Sequence, residues 1–315
     1  MSDILLSYEV IITLFVTIIL FITLSIAFFN TLYILHHYEK DATSELQYKL
    51  EKKSYLVTTI IYISFIIKVI LLPYFTFTID ELSNIITGAM CGAGVIGANS
   101  YGEPLMVLKI FIIIMMMLWL TLNRYDLESK NFQYFKQKML FFIFIFVLLG
   151  VEIVLEYLFF TNLTTQDPVS CCSTLYSSSQ DINPLPFNIS IPTLIGSFYL
   201  VYISILLVSY FQKKYLLFIA SLIYTYLAYL SIVYFFSTYI YELPSHKCPY
   251  CLLQSEYYFI GYIIYSSIII ALFYTLNTLL FNKKLFKKNM VWYSVATFFI
   301  SLNFILYLVI NRTFL

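Results

Sequence analysis

Residues 139–160 read MLFFIFIFVLLGVEIVLEYLFF, a run of apolar residues broken only by Gly150 and by two carboxylates, Glu152 and Glu156. A helix rises about 1.5 Å per residue and needs about 20 residues to cross the hydrocarbon of a bilayer, so this stretch predicts a transmembrane helix. Seven further runs of the same kind predict spans at 10–35, 55–77, 105–123, 194–211, 216–238, 252–281 and 290–311. The chain is 61% apolar and 11% charged, against about 25% charged in an average soluble domain. The expected fold class is an all-α polytopic integral membrane protein of about eight helices. A net charge of +1 offers no basic surface for nucleic acid. Met1-Ser2-Asp3 lacks the basic start of a cleavable signal peptide, so the N-terminus is expected to stay on the chain.

The connections alternate in charge. Those at 36–54, 124–138, 212–215 and 282–289 hold fourteen lysines and arginines, and those at 78–104, 161–193 and 239–251 hold only Lys247. Cationic loops stay cytoplasmic, so both termini and the other three connections are expected outside. The inner connections are short. Residues 78–104 are rich in glycine and carry Cys91, which suggests a surface or re-entrant segment; residues 161–193 are long for a plain connector.

All five cysteines, Cys91, Cys171, Cys172, Cys248 and Cys251, fall on the outer side, where disulfides persist. Neighbours such as Cys171 and Cys172 pair poorly with each other, which leaves each able to reach a thiol elsewhere. Cys248-Pro249-Tyr250-Cys251 has the spacing of a reversible disulfide. If it opens the seventh helix, the helix N-terminus lowers the pKa of Cys248, and His246 and Lys247 add positive character. Redox exchange, a static cross-link between loops, and a soft-metal site using His246, Cys248, Cys251, Cys171, Cys172 and Cys91 all remain open. Cu(I) or Hg(II) is the metal class, since Cys171-Cys172 resembles the paired cysteines of mercury-transport proteins.

Residues 139–281 resemble the four-helix membrane core of the vitamin K epoxide reductase family, with cysteines in the loop after the first helix and C-x-x-C opening the fourth. Their logic is also that of the DsbB-type oxidoreductases. The resemblance implies a thiol–disulfide oxidoreductase in which Cys251 faces a membrane quinone, Cys248 exchanges with Cys171 or Cys172, and the loop pair meets a thiol protein on the outer face. Gln254, Ser255 and Tyr258 are then candidate quinone contacts. On this reading 1–138 is a three-helix unit, 139–281 the redox core and 282–315 a last helix, in a bacterial inner membrane with the cysteines facing the periplasm or exterior. A subunit of a larger membrane complex with structural disulfides is the non-catalytic alternative.

Lys68, Glu152 and Glu156 are ionisable groups inside spans. An unpaired charge there costs about 3 kcal/mol or more, so an ion pair between Lys68 and Glu152 or a proton pathway through these three is expected. Lys109 and Glu256 are placed near enough to the outer interface to reach water. His36 and His37 are adjacent and do not share a helix face, which argues against a haem pair.

Overall fold

The computed structural model describes residues 3–37, 44–129, 133–165, 169, 185, 189–244, 246–281 and 285–314. Cys171 and Cys172 lie outside them. The described residues hold no strand and eight helices long and apolar enough to span a membrane: α1 (Tyr8–His37), α2 (Glu45–Leu82), α3 (Gly102–Glu128), α4 (Phe135–Thr161), α5 (Ile191–Tyr210), α6 (Lys214–Tyr241), α7 (Ile260–Phe281) and α8 (Phe286–Asn311). The protein is a polytopic all-α membrane protein.

Local signals set the helix ends. Ser44 accepts a hydrogen bond from the Gln47 amide and Ser190 from the Thr193 amide, capping α2 and α5. Pro192 follows in the first turn of α5, where a missing N–H is harmless. Side chains are sorted for lipid. On α1, Ile11, Phe15, Ile18, Ile22, Ile26 and Phe29 face outward, while Thr13, Thr17 and Thr31 are buried with Leu24, Ala27 and Ile34. Lipid is as apolar as leucine, so packing and polar contacts hold such helices together more than hydrophobicity does.

The helices form two compact units, residues 1–85 with 96–166, and residues 86–95 with 167–315. In the first, α1 packs on α2, α2 on α3, α3 on α4 and α4 back on α1. The second repeats the scheme with α5, α6, α7 and α8. Each unit is therefore a ring of four helices whose second and third members are joined by an irregular connection. The helices grouped around Cys248 and Cys251 are thus spans five to eight, where the resemblance implied four to seven. The reason lies on α4. Its inner face carries Glu152 and Glu156, whose lysine partners stand on α2 and α3.

The first bundle has an aromatic layer at mid-height, with Phe65 and Trp119 centroids 5.2 Å apart and Phe142 6.1 Å from Phe65. Beyond it Lys138 is buried against Asp126 at 2.6 Å and Asn123 at 3.1 Å. The second bundle is joined by neutral groups. Asn289, Tyr293, Thr297 and Ser301 recur every four residues along the buried face of α8. The Asn289 amide donates to Thr278 Oγ1 at 2.9 Å, and Tyr293 and Thr275 hydroxyls meet at 3.1 Å. Thr297 meets Tyr224 of α6 and Ser301 meets Tyr199 of α5, both at 2.8 Å.

Candidate functional site

The α6–α7 connection is built from tight turns. α6 ends at Tyr241 and is followed by Glu242, whose φ of 55° is left-handed, and Cys251–Leu253 and Ser255–Tyr257 each make one 3-10 turn. Tyr258 and Phe259 follow with φ of 56° and 55°, and only then does α7 begin at Ile260. Cys248 therefore does not open the seventh helix, and the activation expected from a helix N-terminus is absent. Two consecutive left-handed residues break the helix that the apolar run predicted from residue 252.

The connection is pinned from below. Tyr241 donates its hydroxyl to the Cys248 carbonyl, and Tyr265 donates to the Pro249 carbonyl at 2.8 Å. Gly261 permits the closest approach: a Cβ there would lie 2.8 Å from the Leu252 carbonyl oxygen. The turn bearing Cys251 thus rests directly on the first turn of α7.

Cys91 arrives from far upstream. Its segment, residues 86–95, belongs to the second unit. Gly88 has φ +83°, and a Cβ there would stand 2.6 Å from the Val169 carbonyl oxygen, while the Val169 amide donates to the Thr87 carbonyl at 3.0 Å. Gln254 donates its side-chain amide to the Met90 carbonyl at 3.3 Å, tying the two segments together beside the cysteines.

Three thiols converge as a result. Cys91 Sγ lies 3.4 Å from Cys248 Sγ, and the sulfurs of Cys91, Cys248 and Cys251 all lie within 4.8 Å of one another. They are 1%, 3% and 4% exposed and belong to the apolar core of their bundle. Hydrogen bonding to Cys248 and Cys91, followed by burial, pushes the Cys251 thiol far above its ordinary range. His246 is held below its usual pKa by burial, against a weaker opposing influence of Cys91. It is thus neutral at pH 7 and adds no positive charge. Its Nε2 is buried without a hydrogen-bond partner among the described residues, and its ring stands edge-on to Tyr241 with centroids 4.4 Å apart.

The expected quinone contacts separate. Gln254 positions the Cys91 segment, Ser255 is exposed, and Tyr258 is 91% exposed. Tyr257 and Tyr241 stand nearer the thiols, with ring centroids 4.6 Å apart, and burial followed by Cys251 raises the pKa of Tyr257. In the sequence Cys91 is a candidate soft-metal ligand with no assigned place in the redox exchange. Its signal was the glycine cluster around it, since a chain that must thread closely past another backbone needs such residues.

A separate polar centre sits in the first bundle. Glu152 Oε1 is 3.0 Å from Lys68 Nζ and 2.6 Å from Lys109 Nζ, and Lys109 also meets Glu156 at 2.5 Å. The expected Lys68–Glu152 pair is present. Lys109, expected to reach water, is instead 5% exposed and central to the cluster, its Nζ 4.2 Å from the Phe75 ring centroid. A cavity of about 10 Å³ beside Lys68, Lys109 and Glu152 is the size that holds one water. Glu152 Oε2 and Glu156 Oε1 have no hydrogen-bond partner among the described residues.

Comparison with family models, curated proteins and solved structures gave no match, so the chemistry of these centres rests on their own geometry.

Proposed function

We propose that the protein is a membrane thiol–disulfide oxidoreductase whose outer-face cysteines exchange electrons with a membrane quinone. The supporting observation is the 3.4 Å approach of Cys91 Sγ to Cys248 Sγ, with Cys251 in the same cluster. Shortening that contact by about 1.4 Å would give a disulfide of ordinary length. Cys248 can then pair with either neighbour, and two alternative disulfides sharing one sulfur make a relay.

In the exchange step the Cys91 sulfur attacks Cys248 of a Cys248–Cys251 disulfide. A Cys91–Cys248 bond forms, the Cys248–Cys251 bond breaks, and Cys251 leaves with the proton given up by Cys91. No electron is gained or lost in this step. Such exchange proceeds through the thiolate. The raised pKa of Cys251 makes it the sulfur that holds its proton, and the neutral His246 is a nearby group able to pass one.

A quinone bound beside Cys251 would supply net oxidation by taking two electrons and two protons from the dithiol. The buried aromatic surroundings of Cys251, with the Tyr257 and Tyr265 rings close to it, suit a planar apolar ring. Tyr241 and Tyr265 hold the C-x-x-C backbone, and the packed core around it keeps water from the sulfurs. The thiol partner that reloads the relay is a dithiol protein on the same face, met through Cys171 and Cys172. The charge alternation of the loops supports cysteines facing the periplasm or exterior of a bacterial inner membrane, with both termini on that side.

The test is thiol trapping in intact cells with alkylation and mass spectrometry, before and after quinone reoxidation is blocked. The expected result is loss of the Cys248–Cys251 and Cys91–Cys248 disulfides when quinone stays reduced. Cysteines that remain fully oxidised under both conditions would replace the relay with a static cross-link.

A further inference from the structure

We infer that Cys91, Cys248 and Cys251 form a three-sulfur site for one soft monovalent cation, Cu(I). The inference goes beyond the redox reading and stands without it. The exchange step bonds the sulfurs two at a time, whereas a trigonal site needs all three at once.

The geometry is close to what such a site requires. Metal–sulfur bonds of about 2.3 Å arranged as a trigonal plane place the sulfurs about 4.0 Å apart. The three sulfurs lie within 4.8 Å of one another, with Cys91 and Cys248 at 3.4 Å, so the span required falls between the two.

The donor set also selects the metal. No histidine nitrogen or carboxylate oxygen among the described residues joins the three sulfurs within that distance. Zinc sites are almost always four-coordinate, and hard cations need oxygen. Three thiolates in an apolar pocket suit Cu(I), which accepts low coordination and prefers sulfur. His246 stands close by but outside the cluster, its Nε2 without a partner among the described residues.

The site is held in place before any metal arrives. The Gln254 amide on the Met90 carbonyl, the Tyr241 hydroxyl on the Cys248 carbonyl and the Tyr265 hydroxyl on the Pro249 carbonyl fix the two segments in register. The Gly94 amide closes a turn on the Cys91 carbonyl at 3.0 Å. At 1–4% exposure the sulfurs would shield bound Cu(I) from water and oxygen. On binding, each Cu–S bond replaces an S–H bond, the displaced protons go to water, and copper keeps its oxidation state.

The experiment uses the reduced full-length chain in detergent, titrated anaerobically with Cu(I) against a chromophoric Cu(I) chelator and then examined by X-ray absorption. The expected result is one copper per chain with three sulfur neighbours. Cys91→Ser should weaken binding by more than the ~10–100-fold that even outer-shell changes cost, and a Cys171→Ser/Cys172→Ser variant should bind as the wild type does. Two-sulfur or oxygen-rich coordination, unchanged affinity in Cys91→Ser, or loss of copper in the double variant would each overturn the site. If Cys91→Ser does not fold, the sulfur count of the wild type and of Cys251→Ser decides. Copper binding and redox exchange fail separately, because the titration of the reduced chain contains no quinone and the thiol trapping in cells contains no added copper.

Discussion

Four buried ionisable groups bridge α2, α3 and α4 in the first bundle, where the second has a stripe of neutral side chains along α8. Both rings thread their helices in the same order, yet they solve the problem of a polar interior in opposite ways. Charges in a low-dielectric core are useful only as a complete set, since removing one partner leaves another uncompensated. Hydroxyls can lose one contact and find a backbone carbonyl within their own helix, as Thr297 does with Tyr293 at 2.8 Å. The first bundle is accordingly built to be rigid and intolerant. The second can accept local change, which suits the bundle that carries the cysteines.

The contrast is easiest to break at Lys109, which meets both carboxylates. Lys109→Met should destabilise the protein by about 3–5 kcal/mol, read from unfolding in mixed micelles. Lys68→Met, which leaves Glu152 still paired with Lys109, should cost less. Replacing all four groups together by apolar residues should recover much of the loss, because no buried charge is then left alone. A quadruple variant as unstable as Lys109→Met would show that the ions do more than neutralise one another. In the second bundle Tyr224→Phe removes one interhelical hydroxyl contact and should cost only about 0.6 kcal/mol, the average for such bonds in a membrane protein. A cost near that of Lys109→Met would erase the distinction between the bundles.

Gly261→Ala is a finer probe of the cysteine end. The added methyl would press on the Leu252 carbonyl and lift the turn that carries Cys251. Copper affinity should fall while global stability changes little. The smallest effect concerns pH. Because the folded environment raises the Cys251 pKa, its thiolate is scarce at neutral pH. Native-state alkylation of Cys251 in the reduced protein should be slower than in the unfolded chain and should still be rising past about pH 8.5, where an ordinary thiol levels off. A plateau below that pH would contradict the buried, hydrogen-bonded thiol.

Hydropathy alone located all eight spans, because a 20-residue apolar run has few alternatives. It could not say which helices share a ring, since lipid-facing and protein-facing leucines look alike. The placement of Lys109 near water counted residues from the helix end and ignored the face; on α3 it points inward with Leu105, Ile112 and Met116. The apolar run from residue 252 was read as continuous helix, although Gln254, Ser255 and Glu256 mark the turns that interrupt it. Cys248 and Cys251 were legible from their spacing. Their meeting with Cys91 was not, because it joins residues 157 positions apart.

That separation has a consequence for how the molecule is made. A ribosome adding about 5–20 residues per second finishes Cys91 roughly 8–30 s before Cys248 exists. For that interval Cys91 lacks Cys248 and Cys251, while Cys171 and Cys172 are made partway through it. The nascent thiol is then open to capture by any oxidant or stray disulfide it meets. Early chaperoning of this one residue would govern the yield of correctly assembled protein.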